Sequence, residues 1–174
     1  FASRWEIRKN YENAEELIEK AEIDALIVAT GNDSHCPLTL KALERGLHAL
    51  CEKPLGLNFP EAARMAAKAK EQGVVSMVPF TYSFMPATRY LRELIMDGYL
   101  GQPYHLNMRY YGGGGRKPGY HWRFDTRRGG TGALGDIGSH FLYIARLLFG
   151  EIVQVRAQLD RLINRPNLDP DGME

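Results

Sequence analysis

The chain has 174 residues, 44% of them hydrophobic and 25% charged, a composition that is ordinary for a globular protein. Its 22 basic and 21 acidic residues leave a net charge of +1, which gives no argument for a nucleic-acid or membrane partner. No apolar run approaches the ~20 residues that span a bilayer, and two cysteines are too few for a disulfide framework, so we expect a cytoplasmic protein.

Three mainly apolar runs, the first of them unbroken, predict the strands of a parallel sheet. A helical pattern at residues 13–21 comes first, and the runs follow at 24–30, 47–51 and 74–80 with helical patterns between them. Such runs are typical of strands covered on both faces, and this alternation implies right-handed crossovers. Ligands of parallel sheets gather beyond the carboxyl ends of the strands. Three places in the sequence follow such ends: Asn32, Lys53 and residues 81–84.

The helices carry recognisable start signals. Asp33 or Ser34 is expected to cap the second helix, with Pro37 tolerated in its first turn. Residues 58–61, Asn-Phe-Pro-Glu, resemble a capping box that opens an alanine-rich third helix. A fourth helix is predicted at residues 86–97.

Beyond that helix the pattern becomes antiparallel in character. Residues 104–110 alternate between apolar and polar side chains, and residues 151–162 are again strand-like. The long loop at 112–131 contains aromatic side chains, which favours a docked, functional loop. We place the domain boundary near residues 82–86 and expect the tail from residue 164 to fray.

A glycine-rich turn at residues 129–135 runs into an apolar helical stretch that carries Asp136 and His140. Residues four apart share a helix face, so this carboxylate and imidazole lie on or beside the apolar stripe. Three interpretations stay open from the residues alone. The pair is a satisfied core histidine with a capping aspartate, or half of a metal site whose other ligands are not evident, or a general acid–base pair.

Four segments of the chain resemble the glucose–fructose oxidoreductase / inositol 2-dehydrogenase / MocA family of nicotinamide-dependent sugar and polyol oxidoreductases. Their sequences are ATGNDSH at 29–35, LCEKPL at 50–55, FTYSFMP at 80–86 and GGTGALGDIGSH at 129–140. Each segment is weak evidence by itself, but their order and spacing fit together over nearly the whole chain.

The resemblance implies an α/β fold: part of a Rossmann dinucleotide-binding domain at residues 1–84, then the first part of an α/β domain with a mostly antiparallel sheet at 85–174. It implies NAD or NADP as the cofactor and no metal. In the family, the counterparts of Lys53, Asp136 and His140 meet at the nicotinamide. His140 would take the hydroxyl proton, Asp136 would hold the substrate or orient the imidazole, and Lys53 would face the developing alkoxide.

The remaining expectations concern the cofactor contacts, which the resemblance implies, the substrate pocket and the oligomeric state. The expected cofactor contacts are Thr30, Asn32, His35, Glu52, Lys53 and Pro54, with a cis peptide bond before the proline. Tyr120, Trp122 and Arg123 are expected to wall the pocket of a sugar or polyol, together with Asp136. A homo-oligomer, either a dimer or a tetramer, is expected.

The sequence also departs from the family pattern. Gly31 stands where relatives often have proline, and Tyr143 stands where many have aspartate. No Gly-x-Gly-x-x-Gly precedes residue 24, and the acidic residue for the adenosine ribose is missing too, so NAD and NADP are not distinguished. We therefore expect the chain to begin after the second Rossmann strand, to stop before the antiparallel sheet is complete, and to be poorly soluble.

Two other functions are consistent with these departures. One is a non-catalytic remnant or sugar-binding module without a complete cofactor site. The other is a nicotinamide-dependent glycosidase or lyase-type relative that uses the same hydride chemistry transiently. Binding of NAD(H) or NADP(H) would distinguish the dehydrogenase from the non-catalytic module. Net reduction of the cofactor by a free sugar would distinguish it from the glycosidase or lyase-type relative.

Overall fold

A computed structural model of the chain describes residues 2–113, 115–160 and 163. The chain divides into two units, residues 1–79 and residues 80–174. The functional domains at 1–84 and 85–174 stay a prediction. No helix within the described ranges combines the length and apolar character needed to cross a bilayer.

The first unit contains the predicted parallel sheet. Its strands are β1 (Ala25–Val28), β2 (His48–Cys51) and β3 (Ser76–Met77), in the order β1-β2-β3. Val28 pairs with Cys51 at the carboxyl ends of the first two strands. The third strand is shorter than the predicted run, because only two of its residues pair with β2.

Helix α1 (Ala14–Lys20) precedes β1, and two helices connect the strands: α2 (Asn32–Glu44) and α3 (Phe59–Gln72). The capping box before α3 is confirmed, because the Asn58 side chain accepts a 3.0 Å hydrogen bond from the Glu61 amide. The Glu61 carboxylate in turn accepts a 2.8 Å bond from the amide of Leu57.

The predicted start of α2 is wrong by two to three residues, because the cap is Gly31 and not Asp33 or Ser34. Gly31 is the extended residue before the helix, so the helix begins at Asn32 directly after the turn that ends β1. Asp33 and Ser34 therefore lie inside the first turn, where the Ser34 hydroxyl donates to the carbonyl of Gly31 at 2.8 Å. Pro37 lies beyond that turn, inside the helix.

The expectation that the sheet is covered on both faces is also wrong for the described residues. The core lies on one side of the sheet and is built from Ile18, Val28, Cys36, Leu38, Cys51 and Met65. On the opposite face, Ile27 is 69% exposed. Consecutive right-handed crossovers between adjacent strands place both connecting helices on the same face, which explains the asymmetry.

The second unit is helical in its described part. Its helices are α4 (Pro86–Met96), α5 (Thr126–Gly129) and α6 (Ser139–Phe149). Short 3₁₀ turns cover Thr81–Phe84 and Trp122–Phe124, and one π-helical turn covers Leu134–Gly138. The prediction of α4 is confirmed, and Gly98, with φ of 75°, follows its end.

The antiparallel sheet predicted for the second domain is not confirmed. Residues 104–110 and 151–160 form neither helix nor strand, and Tyr104 and Val153 are 92% and 97% exposed. Alternation tells which side chains share a face, but a strand forms only when a neighbouring backbone pairs with it. Residues 161–162 and the tail from 164 lie outside the described residues.

Candidate active site

Two turns lie side by side at the carboxyl edge of the parallel sheet. The turn at residues 29–31 follows β1, and the turn at 52–57 follows β2. The Glu52 amide donates a 2.9 Å hydrogen bond to the carbonyl of Val28, so the pairing of the strands continues into the second turn. This edge is where parallel sheets bind ligands.

Buried Asn32 opens α2 at this edge, and exposed Thr30 precedes it. The hydroxyl oxygens of Thr30 and Ser34 lie 2.6 Å apart, within hydrogen-bond distance. The amide N–H groups at a helix start favour negative or polar ligand groups. These two residues therefore lie where a cofactor contact is predicted, and the contact itself stays a prediction.

Glu52, Lys53 and Pro54 are partly buried in the second turn. The Lys53 amide donates a 3.1 Å hydrogen bond to the carboxylate of Glu52. The peptide bond between Lys53 and Pro54 is cis, as the resemblance to the family implies. Their roles toward a cofactor stay predictions.

His35 lies beneath both turns and is only 1% exposed. Its Nδ1 atom is 2.7 Å from the carbonyl oxygen of Pro54, and its Nε2 atom is 3.3 Å from that of Thr30. The ring thus links the backbone of the two turns. Its direct contact with a cofactor stays a prediction.

Both cysteines are buried and have free thiols. Burial raises the pKa of the Cys51 thiol to about 11, and burial also raises the pKa of Cys36. A thiol reacts as a nucleophile only in its thiolate form. Although Cys51 directly precedes Glu52, it is therefore a structural residue at neutral pH.

In the second unit, His140 is 5% exposed and packed among aromatic rings. Its imidazole stacks on Tyr82, with ring centroids 4.2 Å apart, and meets the edge of Phe80 at 5.9 Å. Tyr143 stacks on Phe80, with ring centroids 4.3 Å apart. Tyr143 therefore extends the aromatic packing around His140.

Asp136 lies in the π-helical turn that precedes α6. Its carboxylate is 3.8 Å from Nε of Arg123, whose guanidinium lies over the Trp122 ring at 4.5 Å. The structure thus brings Trp122, Arg123 and Asp136 together. Tyr120 is half-exposed and takes no part in these contacts.

The glycines of this segment serve close packing. A Cβ atom on Gly129 would lie 2.4 Å from the carbonyl oxygen of Arg123, so no other residue fits there without a backbone shift. Gly130 and Gly132 have φ of 78° and 50°, a region that favours glycine. The glycine-rich stretch therefore holds the Trp122–Phe124 turn against α5.

Sequence reasoning missed three residues that shape this site. Tyr82 and Phe80 fall in a segment that the resemblance marks, but ring stacking on His140 has no signal in sequence. Buried Asp125 opens α5 and accepts hydrogen bonds from the Arg127 amide at 3.1 Å and from its guanidinium at 3.2 Å. Arg127 lowers the pKa of Asp125 below its usual range. A signal for Asp125 was available, since Asp before a short helix is a preferred cap.

No group of three or more His, Cys, Asp or Glu side chains in the part of the chain that the structure describes could hold a metal ion. The comparisons with known proteins decide the family. Residues 1–80 match an oxidoreductase family with an NAD-binding Rossmann fold, and residues 88–173 match the GFO/IDH/MocA C-terminal domain. The chain belongs to the Gfo/Idh/MocA oxidoreductase family.

Relatives in this family include sugar dehydrogenases. Levoglucosan dehydrogenase of Pseudarthrobacter phenanthrenivorans is 32% identical over 160 residues, which are 91% of this chain and 41% of the relative. Glucose-6-phosphate 3-dehydrogenase of Bacillus subtilis is 33% identical over 143 residues, 81% of this chain and 40% of the relative.

A solved structure of levoglucosan dehydrogenase in complex with NADH and levoglucosan superposes with a TM-score of 0.75. It is 30% identical, and the match covers 86% of this chain and 41% of that one. The chain thus spans about two fifths of the length of the relatives it matches.

Proposed function

We propose that the protein is an NAD(P)-dependent dehydrogenase that oxidises a secondary alcohol of a sugar or polyol. The observation that carries this proposal is the buried imidazole of His140, stacked on Tyr82 and following Asp136 by one helical turn, in a chain of an NAD-binding oxidoreductase family. The four-residue spacing is suited to a proton acceptor and a carboxylate that orients it or the substrate.

The first unit fits part of a dinucleotide site. Asn32 opens a 13-residue helix at the carboxyl edge of the sheet, and Thr30 and residues 52–54 flank it. These residues would hold the cofactor, which supplies the hydride acceptor when bound. The sequence before β1 contains no glycine-rich turn of the kind that binds the pyrophosphate of a dinucleotide. We therefore propose no pyrophosphate contact for Thr30, Asn32 or residues 52–54.

The protein's own residues would act on the proton and on charge. His140 would accept the hydroxyl proton of the substrate at an imidazole nitrogen, and its stacked neighbours restrict the plane of the ring. Asp136, beside the Arg123 guanidinium, would hold the substrate hydroxyl or orient the imidazole. The ammonium group of Lys53 would stabilise negative charge that develops on the substrate oxygen.

The residues of the 120–123 stretch support a polyhydroxylated substrate. Tyr120 and Arg123 offer hydrogen-bond donors, and the indole of Trp122 offers an apolar face. Sugars present both hydroxyl groups and apolar C–H faces to a protein. The relatives named for levoglucosan and for glucose 6-phosphate support the same substrate class.

The proposal is tested by measuring NADH and NADPH binding by fluorescence, and then NAD⁺ and NADP⁺ reduction with a panel of free sugars and polyols. His140→Ala is expected to lower kcat roughly 10²–10⁴-fold, the range for loss of a general base. Exposed His105 provides a matched control, and His105→Ala should keep the full rate.

Three outcomes would contradict the proposal. Cofactor binding without net reduction by any sugar would favour a binding module or a relative with transient hydride transfer. A full rate in His140→Ala would remove that residue from the mechanism. The absence of binding to either cofactor would exclude dehydrogenase activity for this chain.

A further inference from the structure

The turn that carries Lys53 contacts a buried side chain of helix α2, that of His35. His35 lies in the first turn of α2, nineteen positions before Pro54 in the sequence, and is almost fully buried. It contacts the backbone of the two turns at the ligand-binding edge of the sheet. A buried side chain that contacts both backbones restricts the conformations that the two turns can adopt.

The contact with Pro54 is the stronger of the two. A carbonyl oxygen only accepts hydrogen bonds, so the 2.7 Å contact requires that Nδ1 of His35 carries a proton and donates it. The 3.3 Å contact of Nε2 with the Thr30 carbonyl is longer. Proline has no N–H group, so the backbone at Pro54 offers only its carbonyl for anchoring.

Hydrogen bonds anchor the turn at its start, middle and end. Its start is fixed by the bond from the Glu52 amide to Val28, and its end by the bond from the Leu57 amide to Glu61. The His35 bond falls between these anchors, one residue after Lys53. Without it, the middle of the turn loses this hydrogen bond to α2, and the backbone that carries Lys53 gains freedom to move.

We propose that His35 is a positioning residue, which fixes Lys53 by donating from Nδ1 to the carbonyl of Pro54 and makes no contact with the cofactor. The inference rests on the proposed function, because it assigns His35 to the same site as Lys53. A displacement of about 1 Å at a reacting group costs up to roughly a hundredfold in rate.

The test uses two substitutions of His35 that place a hydrogen-bond donor at different positions. Asn at position 35 places its amide N–H₂ near the position of Nδ1, whereas Gln places it nearer to Nε2. Leu43→Ala is the control for lost stability, since Leu43 is fully buried in the same helix and packs on Ala49 and Ala69, away from both turns. Hydrogen exchange at residues 52–57 is measured in each variant by mass spectrometry.

We expect His35→Gln to accelerate exchange at residues 52–57 by about tenfold or more relative to the rest of the unit, as expected for local opening. His35→Asn should stay near the wild-type rate, and Leu43→Ala should accelerate exchange across the unit without this selectivity. The NADH dissociation constant should rise in His35→Gln, and kcat should fall roughly tenfold to a hundredfold while KM for the sugar is unchanged.

The inference is overturned if exchange at residues 52–57 in His35→Gln is no more selective than in Leu43→Ala, or if His35→Asn behaves like His35→Gln. It is also overturned if exchange rises while NADH affinity and kcat stay at wild-type values. A wild-type protein that binds neither NADH nor NADPH contradicts the proposed function instead, and the exchange result then decides by itself whether His35 fixes the turn.

Discussion

Substitution of Gly129 by alanine tests the packing that holds the turn of Trp122 and Arg123. A Cβ atom there would lie 2.4 Å from the carbonyl oxygen of Arg123 and 2.8 Å from its carbonyl carbon. Real Cβ contacts are essentially never closer than 3.0 Å, so the backbone has to move by about 0.6 Å. Both atoms belong to the backbone and cannot rotate out of the way.

The free energy of unfolding is therefore expected to fall. Forcing an extra methyl group into a packed site costs about 1–3 kcal/mol. Alanine recovers up to about 1 kcal/mol in a helix relative to glycine, because glycine has more conformational freedom to lose. The net loss expected for Gly129→Ala is about 1–2 kcal/mol, measured by urea denaturation.

Gly119→Ala is the matched control from the same loop. A Cβ atom at Gly119 would meet nothing within 4 Å, and its φ lies outside the left-handed region. Its unfolding free energy should therefore stay the same or rise by up to about 1 kcal/mol. The packing argument is refuted if Gly129→Ala is as stable as Gly119→Ala.

Three further changes have expected outcomes. Asn58→Ala should cost about 0.5–2 kcal/mol in urea denaturation through the lost cap of α3, and an unchanged midpoint would contradict that cap. Asp125→Ala should cost a similar amount. Because Arg127 lowers the pKa of Asp125, the wild-type advantage over this variant should be present above the ordinary carboxyl pKa and be lost as the pH falls through the lowered value. Alkylation of Cys51 by iodoacetamide at pH 8 should be slow in the native protein and fast in urea, since burial raises its thiol pKa to about 11, and equal rates would show that the thiol is accessible.

Features that depend on neighbouring residues could be predicted from the sequence. The capping box at Asn58 and the parallel pairing of three strands were both predicted correctly. Each depends on signals within a few residues or on the spacing between elements. The start of α2 was misplaced because Gly31, Asp33 and Ser34 are all acceptable caps, and only the backbone path after β1 selects among them.

The sequence by itself determined the family, the parallel sheet and the segments in which candidate site residues lie. Only the tertiary structure decided which of them touch. It brought Tyr82 onto His140, placed Arg123 beside Asp136 and put His35 beneath the turn of Pro54. These contacts join residues far apart in the chain, and periodicity or motif spacing carries no information about which distant side chains will pack together. For the same reason, the alternating pattern at 104–110 predicted which side chains share a face, but it did not predict which strand would pair with this segment.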